Sequence, residues 1–192
     1  MRAMLLIAML VLAGCASPPT QTNNVCAVFD QRDGLVGNWY RQAKAAERQY
    51  GVPVPILMAT INTESSFRAR ARPPRKWHLG IIPGKRASTA YGYSQALDGT
   101  WAEYQAKTGR WSARRTNFGD AVTFVAWYHH QSHQRNGIAL NDMRNLYLAY
   151  YSGHGGYSRG SWRNSSIALR GADRAAEMAQ TYANQMRACG RA

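Results

Sequence analysis

The apolar positions along the chain recur at helical spacing far more often than they alternate. Leu35, Trp39, Ala43, Ala46 and Tyr50 fall about one turn apart and Gly51 stops the run, which predicts a helix. Pro53 and Pro55 sit where a helix begins, and Ile56 to Phe67 reads as the next one. Thr100-Trp101-Ala102-Glu103 has the spacing of a capping box, which predicts a helix from there to about Lys107. Asn117 followed by Asp120 opens a longer helix through His133, Asn141 caps another reaching Tyr151, and Ala172 to Cys189 reads as the last. No alternating runs of Val, Ile and Thr compete and no repeat is visible, so the expected fold class is all-α, with at most a small hairpin. The segment from Arg68 to Tyr91 is different. It is crowded with Arg, Lys, Pro and Gly, so it is not one helix, and a loop that long inside a compact domain is more often functional than not.

Composition bounds the rest. A chain of 192 residues with 45% apolar content can bury one sizeable core, which favours one domain. Six Trp argue against disorder, and no apolar run reaches the ~20 residues of a membrane-spanning helix. Against 10 Asp+Glu stand 24 Lys+Arg, a net charge of +14. That points to an anionic partner without choosing among nucleic acid, acidic lipid and acidic polymer.

The N-terminus narrows the choice. Arg2 is followed by twelve uncharged, mostly apolar residues, Ala3 to Gly14, the flank and length of a secretory leader. The run closes on Leu12-Ala13-Gly14-Cys15, which resembles the lipobox of bacterial lipoproteins, where the leader is cut before the Cys and the Cys is lipid-modified. The resemblance implies a leader over residues 1–14, a lipidated Cys15 with a flexible tether over 15–25, and a working domain over 26–192. Ala16 is not the Asp that resembles an inner-membrane retention signal, so the implied address is the periplasmic face of the outer membrane. Only Arg2 is lost with the leader, so the basicity belongs to the domain. Cys26 and Cys189 remain, one near each end, in a compartment where disulfides persist. A bridge between them is the expectation, against two buried free thiols.

Candidate chemistry starts from the four glutamates, Glu47, Glu64, Glu103 and Glu177. Glu47 and Glu177 lie among Lys, Arg, Gln and Ala, and Glu103 belongs to the capping box. Glu64 instead falls in the middle of the stripe formed by Leu57, Ile61 and Phe67. A carboxyl against apolar walls has its pKa raised and becomes a proton donor near neutral pH; a buried Glu paired with a nearby arginine fits the same position.

Three motifs follow in order. Glu64-Ser65-Ser66-Phe67, with Ala71 beyond, resembles the E-S-x-F-x-P-x-A motif of the soluble lytic transglycosylase (SLT) domain. Gly92-Tyr93-Ser94-Gln95 with Gly99-Thr100-Trp101 resembles G-L-M-Q followed by G-T-W, and Ala149-Tyr150-Tyr151-Ser152-Gly153 resembles A-Y-N-A-G. The resemblance runs from about Gly51 to Tyr182. It departs from the family at Ala69, at Tyr93-Ser94, and in the basic insertion Arg68 to Thr89. It implies a goose-lysozyme-like helical fold that cleaves peptidoglycan glycan strands, with Glu64 as catalytic acid and base. Ser65, Gln95, Tyr93, Tyr150 and Tyr151 would hold the sugar or orient the carboxyl, and Tyr182 matches, loosely, a later family tyrosine. In that family one Glu protonates the MurNAc–GlcNAc oxygen and then deprotonates the MurNAc 6-hydroxyl, giving a 1,6-anhydro sugar. If Asp98 or Asp120 lined the cleft as a second acid, a lysozyme-type hydrolysis would be the better reading. A non-catalytic peptidoglycan-binding lipoprotein is the remaining alternative.

Other features have bland readings. His129 and His133 stand four apart, a spacing that can hold zinc, but no Glu follows the first His and no Cys lies near, so a solvated or cleft-edge helix face is expected and no metal. Of Trp77, Trp101, Trp111, Trp127, Trp162, Tyr91, Tyr93, Tyr151 and Tyr157, most are expected in the core, with Tyr93, Tyr151 and, less so, Trp77 as sugar-stacking candidates. Gly153 to Tyr157 reads as a turn with positive φ or a helix stop. No nucleic-acid motif appears, no cofactor is implied, and a monomer is expected. Peptidoglycan carries lactyl and stem-peptide carboxylates, so the basic loop is expected to flank the glycan cleft and bind stem-peptide carboxylates.

Overall fold

The computed structural model describes residues 18–33, 37–78 and 82–191. The leader segment, Cys15, the first tether residues and the Trp77 side chain lie outside the described residues. Among those residues there are eight helices: α1 (Val25–Val28), α2 (Trp39–Tyr50), α3 (Val54–Ser65), α4 (Asp98–Thr108), α5 (Phe118–Asn136), α6 (Met143–Ser152), α7 (His154–Ser158) and α8 (Ser166–Ala188). Two antiparallel pairs accompany them, β1 (Arg32–Asp33) with β2 (Gly37–Asn38), and β3 (Arg75–His78) with β4 (Ile82–Arg86). The fold is the mainly helical, lysozyme-like one expected, with two small hairpins where at most one was expected.

Helix α3 lies at the centre, packed by α2, α5 and α8. It is apolar almost all round: Val54, Leu57, Met58, Ala59, Thr60 and Ile61 are all fully buried. A helix of this kind belongs inside a core rather than on its edge. The polar residues Asn62, Thr63 and Glu64 arrive only in the last turn and are half-buried, so the helix leaves the core as it ends. Glu64 is therefore placed by where α3 emerges, not by a stripe on an amphipathic helix. Around α3 the long helices present narrower faces, Trp39, Ala43 and Ala46 from α2 and the small residues Ala168, Ala172, Ala175 and Ala179 from α8. Alanines at one-turn spacing let α8 approach α3 and α6 closely. Trp39 stacks on Phe118 at 4.0 Å between centroids, with Tyr93 edge-on to both.

Several helix ends differ from expectation. Helix α4 begins at Asp98 with Leu97 in the capping position and no side-chain cap, so Thr100 lies inside it. Glu103 is then free to pair with Lys107 at 3.2 Å and Arg135 at 3.5 Å. Asp142, not Asn141, caps α6 by accepting from the Asn145 N–H at 3.1 Å. Ser165 caps α8, which starts before Ala172 because Gly171 lies inside the helix and interrupts its apolar spacing. Asn117 does cap α5. Gly153 ends α6 with φ 73° and α7 follows at once, so both the positive φ and the helix stop occur.

Cys26 and Cys189 form a disulfide across 163 positions of chain. On the chain-entropy account such a bridge stabilises by ~3–5 kcal/mol. Polar contacts continue the staple: the Val25 N–H donates to Gln185 Oε1 at 2.8 Å, and Gln185 Nε2 donates to the Asn23 carbonyl at 2.9 Å. The segment before α1 is thereby held against α8.

Candidate active site

The last turn of α3 ends abruptly. Ser66 and Phe67 both take positive φ, 49° and 58°, a conformation that costs a non-glycine residue about 1–3 kcal/mol. Full burial of the Phe67 ring offsets that cost and reverses the chain directly beyond Glu64.

Glu64 keeps a partial opening to solvent yet is walled in by protein, and its pKa is raised to about 7. Burial is the larger cause; a hydrogen bond from the Tyr147 hydroxyl works in the opposite direction by favouring the carboxylate. Tyr147 and Tyr150 stand three apart on α6 and so share a face. Both phenols are pushed above their ordinary pKa, chiefly by burial and next by the charge of Glu64, so both remain donors. Tyr147 is not among the residues the sequence motifs single out. Its place depends on α8: a Cβ at Gly171 would lie 2.9 Å from the Tyr147 ring, so glycine there leaves the room the ring occupies. The signal in the sequence is its helical spacing from Tyr150.

The second motif docks between the other two. A Cβ at Gly92 would stand 2.1 Å from the Arg115 carbonyl oxygen at φ 78°, so only glycine fits. The Gly92 N–H donates to the Ala71 carbonyl at 3.0 Å, and Gln95 Nε2 donates to the same carbonyl at 3.0 Å and to that of Gly92 at 2.8 Å. Gln95 itself sits at φ 50°. The Tyr150 hydroxyl then donates to the Ser94 carbonyl at 2.6 Å. Two carbonyl oxygens, those of Ala71 and Ser94, thus tie the three motifs into one unit.

Two cavities flank that unit. One, of about 220 Å³, is lined by Gln95, Thr100, Tyr128, Tyr150, Tyr151 and Gly153 among others, with no charged side chain. The other, of about 720 Å³, is lined by Arg68, Arg70, Arg72, Arg86, Asp33 and Tyr93 among others. Ala71 lines the larger groove and Gln95 the smaller, so their hydrogen bond marks the boundary. Neither lining includes Glu64. Glu64 is instead distinguished by burial that raises its pKa to about 7, within reach of neutral pH.

The chain matches the transglycosylase SLT domain family over residues 3–189. It belongs to that family. The match is wider than the Gly51–Tyr182 stretch carrying the motifs and reaches back through the leader-like segment. No curated protein matches the chain. Membership makes it a transglycosylase-type enzyme of peptidoglycan.

The remaining candidates of this SLT domain divide in two. Gln95, Tyr150 and Tyr151 stand together around the small cavity, Tyr151 with 47% of its surface exposed. Ser65, Tyr93 and Tyr182 are buried and engaged elsewhere. The Ser65 hydroxyl donates back to the Ile61 carbonyl at 3.1 Å. Tyr93 packs in the Trp39–Phe118 cluster and only borders the larger groove. The Tyr182 hydroxyl donates to the Thr22 carbonyl, which Asn62 Nδ2 also reaches at 3.3 Å. Asn62 precedes Glu64 by two residues and so lies on nearly the opposite side of α3, which places Tyr182 behind the helix, fastening the N-terminal segment.

Neither aspartate acts as a partner to Glu64. Asp98 is exposed and pairs with Arg115 at 2.7 Å, and Asp120 accepts from the Arg114 N–H at 2.9 Å. The pKa of Glu64 is set by burial and Tyr147, with no second carboxylate contributing. The histidines divide: His133 is exposed and His130 half-buried, while His129 departs from the expected solvated face. His129 is fully buried with Nε2 2.8 Å from the Thr60 hydroxyl, and burial pushes its pKa down to about 3, so it is a neutral core residue. His130 and His133 bond the Tyr50 and Ile138 carbonyls instead.

Proposed function

We propose that the protein is a lytic transglycosylase that cleaves the β-1,4 bond between MurNAc and GlcNAc of peptidoglycan and leaves 1,6-anhydroMurNAc ends. The observation that carries this reading is a single carboxyl, Glu64, with its pKa near 7 and no second carboxylate acting on it. Most hydrolytic glycosidases use two carboxylates, whereas a reaction assisted by the substrate's own N-acetyl group needs only one. In the proposed sequence the Glu64 proton passes to the glycosidic oxygen as the C1–O bond breaks, and the N-acetyl carbonyl stabilises C1. The Glu64 carboxylate then takes the proton of the MurNAc 6-hydroxyl while that oxygen bonds C1, which restores the acid. One group performs both transfers, as a pKa close to the working pH favours. Tyr147 steadies the carboxylate between the two transfers, and Gln95, Tyr150 and Tyr151 hold the sugar. Both Gln95 amide hydrogens are engaged with backbone carbonyls, so its side-chain oxygen is the atom left for a ligand.

The chain is further proposed to act as a monomer on the periplasmic face of the outer membrane, anchored through a lipid on Cys15; the leader-like run and the lipobox-like Leu12–Cys15 support this. Mass analysis of muropeptides released from purified sacculi tests the reaction. Anhydro ends, lighter by one water than reducing ends, are expected; reducing ends would make the enzyme a hydrolase, and no release would leave a binding protein.

A further inference from the structure

The larger groove has a charge imbalance that the catalytic reading does not use. Arg68, Arg70, Arg72 and Arg86 line it, and none of them is in an ion pair among the described residues, which include every Asp and Glu of the chain. The one acid in its wall, Asp33, is already occupied. Its Oδ1 accepts from Trp39 Nε1 at 3.3 Å, and its Oδ2 accepts from the Phe118 and Gly119 N–H groups at 2.9 and 3.3 Å. Three of the arginines are held by uncharged partners: Arg68 Nε donates to the Ser65 carbonyl at 3.0 Å, Arg72 lies 3.8 Å from the Tyr91 ring centre, and Arg86 donates to the Pro73 carbonyl. Each contact fixes a guanidinium and leaves other N–H donors free. The groove therefore carries four guanidiniums against one carboxylate, with three of the four oriented by uncharged partners, and it adjoins the neutral cavity through the Ala71–Gln95 hydrogen bond.

We propose that this groove docks the carboxylates of peptidoglycan stem peptides, so that a glycan strand seated beside Glu64 is held by its peptides on the hairpin side. This rests on the peptidoglycan reading of the active site. In an uncleaved strand that bears its peptides the lactyl carboxyl is consumed in an amide bond, so the free carboxylates lie on the stems. Planar guanidinium forks match carboxylates in two-point contacts that a general basic surface does not supply. The exposed tether residue Pro18 also borders the groove, so anionic lipid is the competing occupant that the test must separate.

The test measures binding of the purified protein to intact sacculi, to sacculi whose carboxylates have been amidated, and to vesicles of phosphatidylethanolamine and phosphatidylglycerol. The wild type is expected to bind amidated sacculi on the order of tenfold more weakly than intact ones. The combination Arg70→Gln, Arg72→Gln and Arg86→Gln is expected to bind intact sacculi at that weakened level and to lose nothing further on amidation, while the three Lys replacements retain part of the affinity. Arg70→Gln alone breaks no hydrogen bond or ion pair among the described residues and is expected to shift binding less, in the same direction, so a folding defect in the triple variant does not decide the matter. Equal weakening of wild type and triple variant by amidation would overturn the proposal, as would a triple variant that loses vesicle binding but keeps sacculus binding. Absence of anhydro products from the wild type in the same sacculi would overturn the catalytic reading instead, with the binding comparison intact.

Discussion

The cavity beside α6 and the groove beside the β3–β4 hairpin meet at one hydrogen bond, Gln95 Nε2 to the Ala71 carbonyl, yet they are built from opposite materials. The α6 side offers tyrosines, a glutamine and a threonine; the hairpin side offers four arginines. The separation has a physical use. A guanidinium close to Glu64 would favour the carboxylate and drain the proton that the first step requires, whereas burial among phenols raises the pKa. An anion-binding surface and a neutral proton donor can therefore share one cleft only if backbone stands between them. Here the strained reversal at Ser66 and Phe67 carries the chain from one side to the other within a few residues.

The strongest way to break this contrast is to remove the proton donor. Glu64→Gln is expected to lower the rate of muropeptide release on the order of 10²–10⁴-fold while sacculus binding persists. A variant within tenfold of wild type would mean that the neutral side is not where the proton comes from.

The same substitution separates the pKa from the chemistry. Glu64 ionises near 4.5 in the unfolded chain and near 7 in the folded one, so the folded state holds its proton more tightly between those values. Stability attributable to this group is present below about pH 4.5, falls as pH rises through the interval, and is lost above about pH 7. Glu64→Gln is then expected to be more stable than wild type by ~1–3 kcal/mol at about pH 8.5, a figure reduced for the partial solvent opening, and no more stable at about pH 4. Denaturant unfolding at the two pH values checks it. An equal gain at both would assign the effect to packing instead.

How much of this was legible beforehand divides along physical lines. The long helices are written in their apolar spacing, and Glu64 stands out because a carboxylate in an apolar run is costly. Cys26 and Cys189 are legible because one stands near each end of the chain and the lipobox-like motif accounts for the third cysteine. Capping is less legible: Thr100-x-x-Glu103 and Asn141 satisfy a local pattern, but Arg135, brought by α5, takes a share of Glu103, and Asp142 outcompetes its neighbour. Ser65, Tyr93 and Tyr182 show the limit of motif matching, because a motif position does not reveal which way the side chain turns once the core has formed. His129 is the same lesson in reverse, a polar residue buried completely where α5 meets Thr60 of α3. Tyr147 and Gly171 are 24 residues apart on different helices, so their contact with each other exists only in the tertiary fold.

That pair supplies the finest probe of the neutral side. Tyr147→Phe removes a hydrogen bond that favours the Glu64 carboxylate, so the pKa should rise further and the alkaline limb of the rate profile should move to higher pH. Loss of a hydrogen bond to a charged group is worth about 1.5–3 kcal/mol, which predicts a rate lower by roughly ten- to a hundredfold at the optimum. Gly171→Ala should move the limb in the same direction by pushing the ring, with an added stability cost of about 1–3 kcal/mol from overpacking. The arginine changes on the hairpin side should weaken binding and leave the limb where it is. If Tyr147→Phe lowered the melting temperature without moving the limb, the tyrosine would be packing and nothing more. If the arginine variants moved it, the backbone between the two sides would not be insulating Glu64 from their charge.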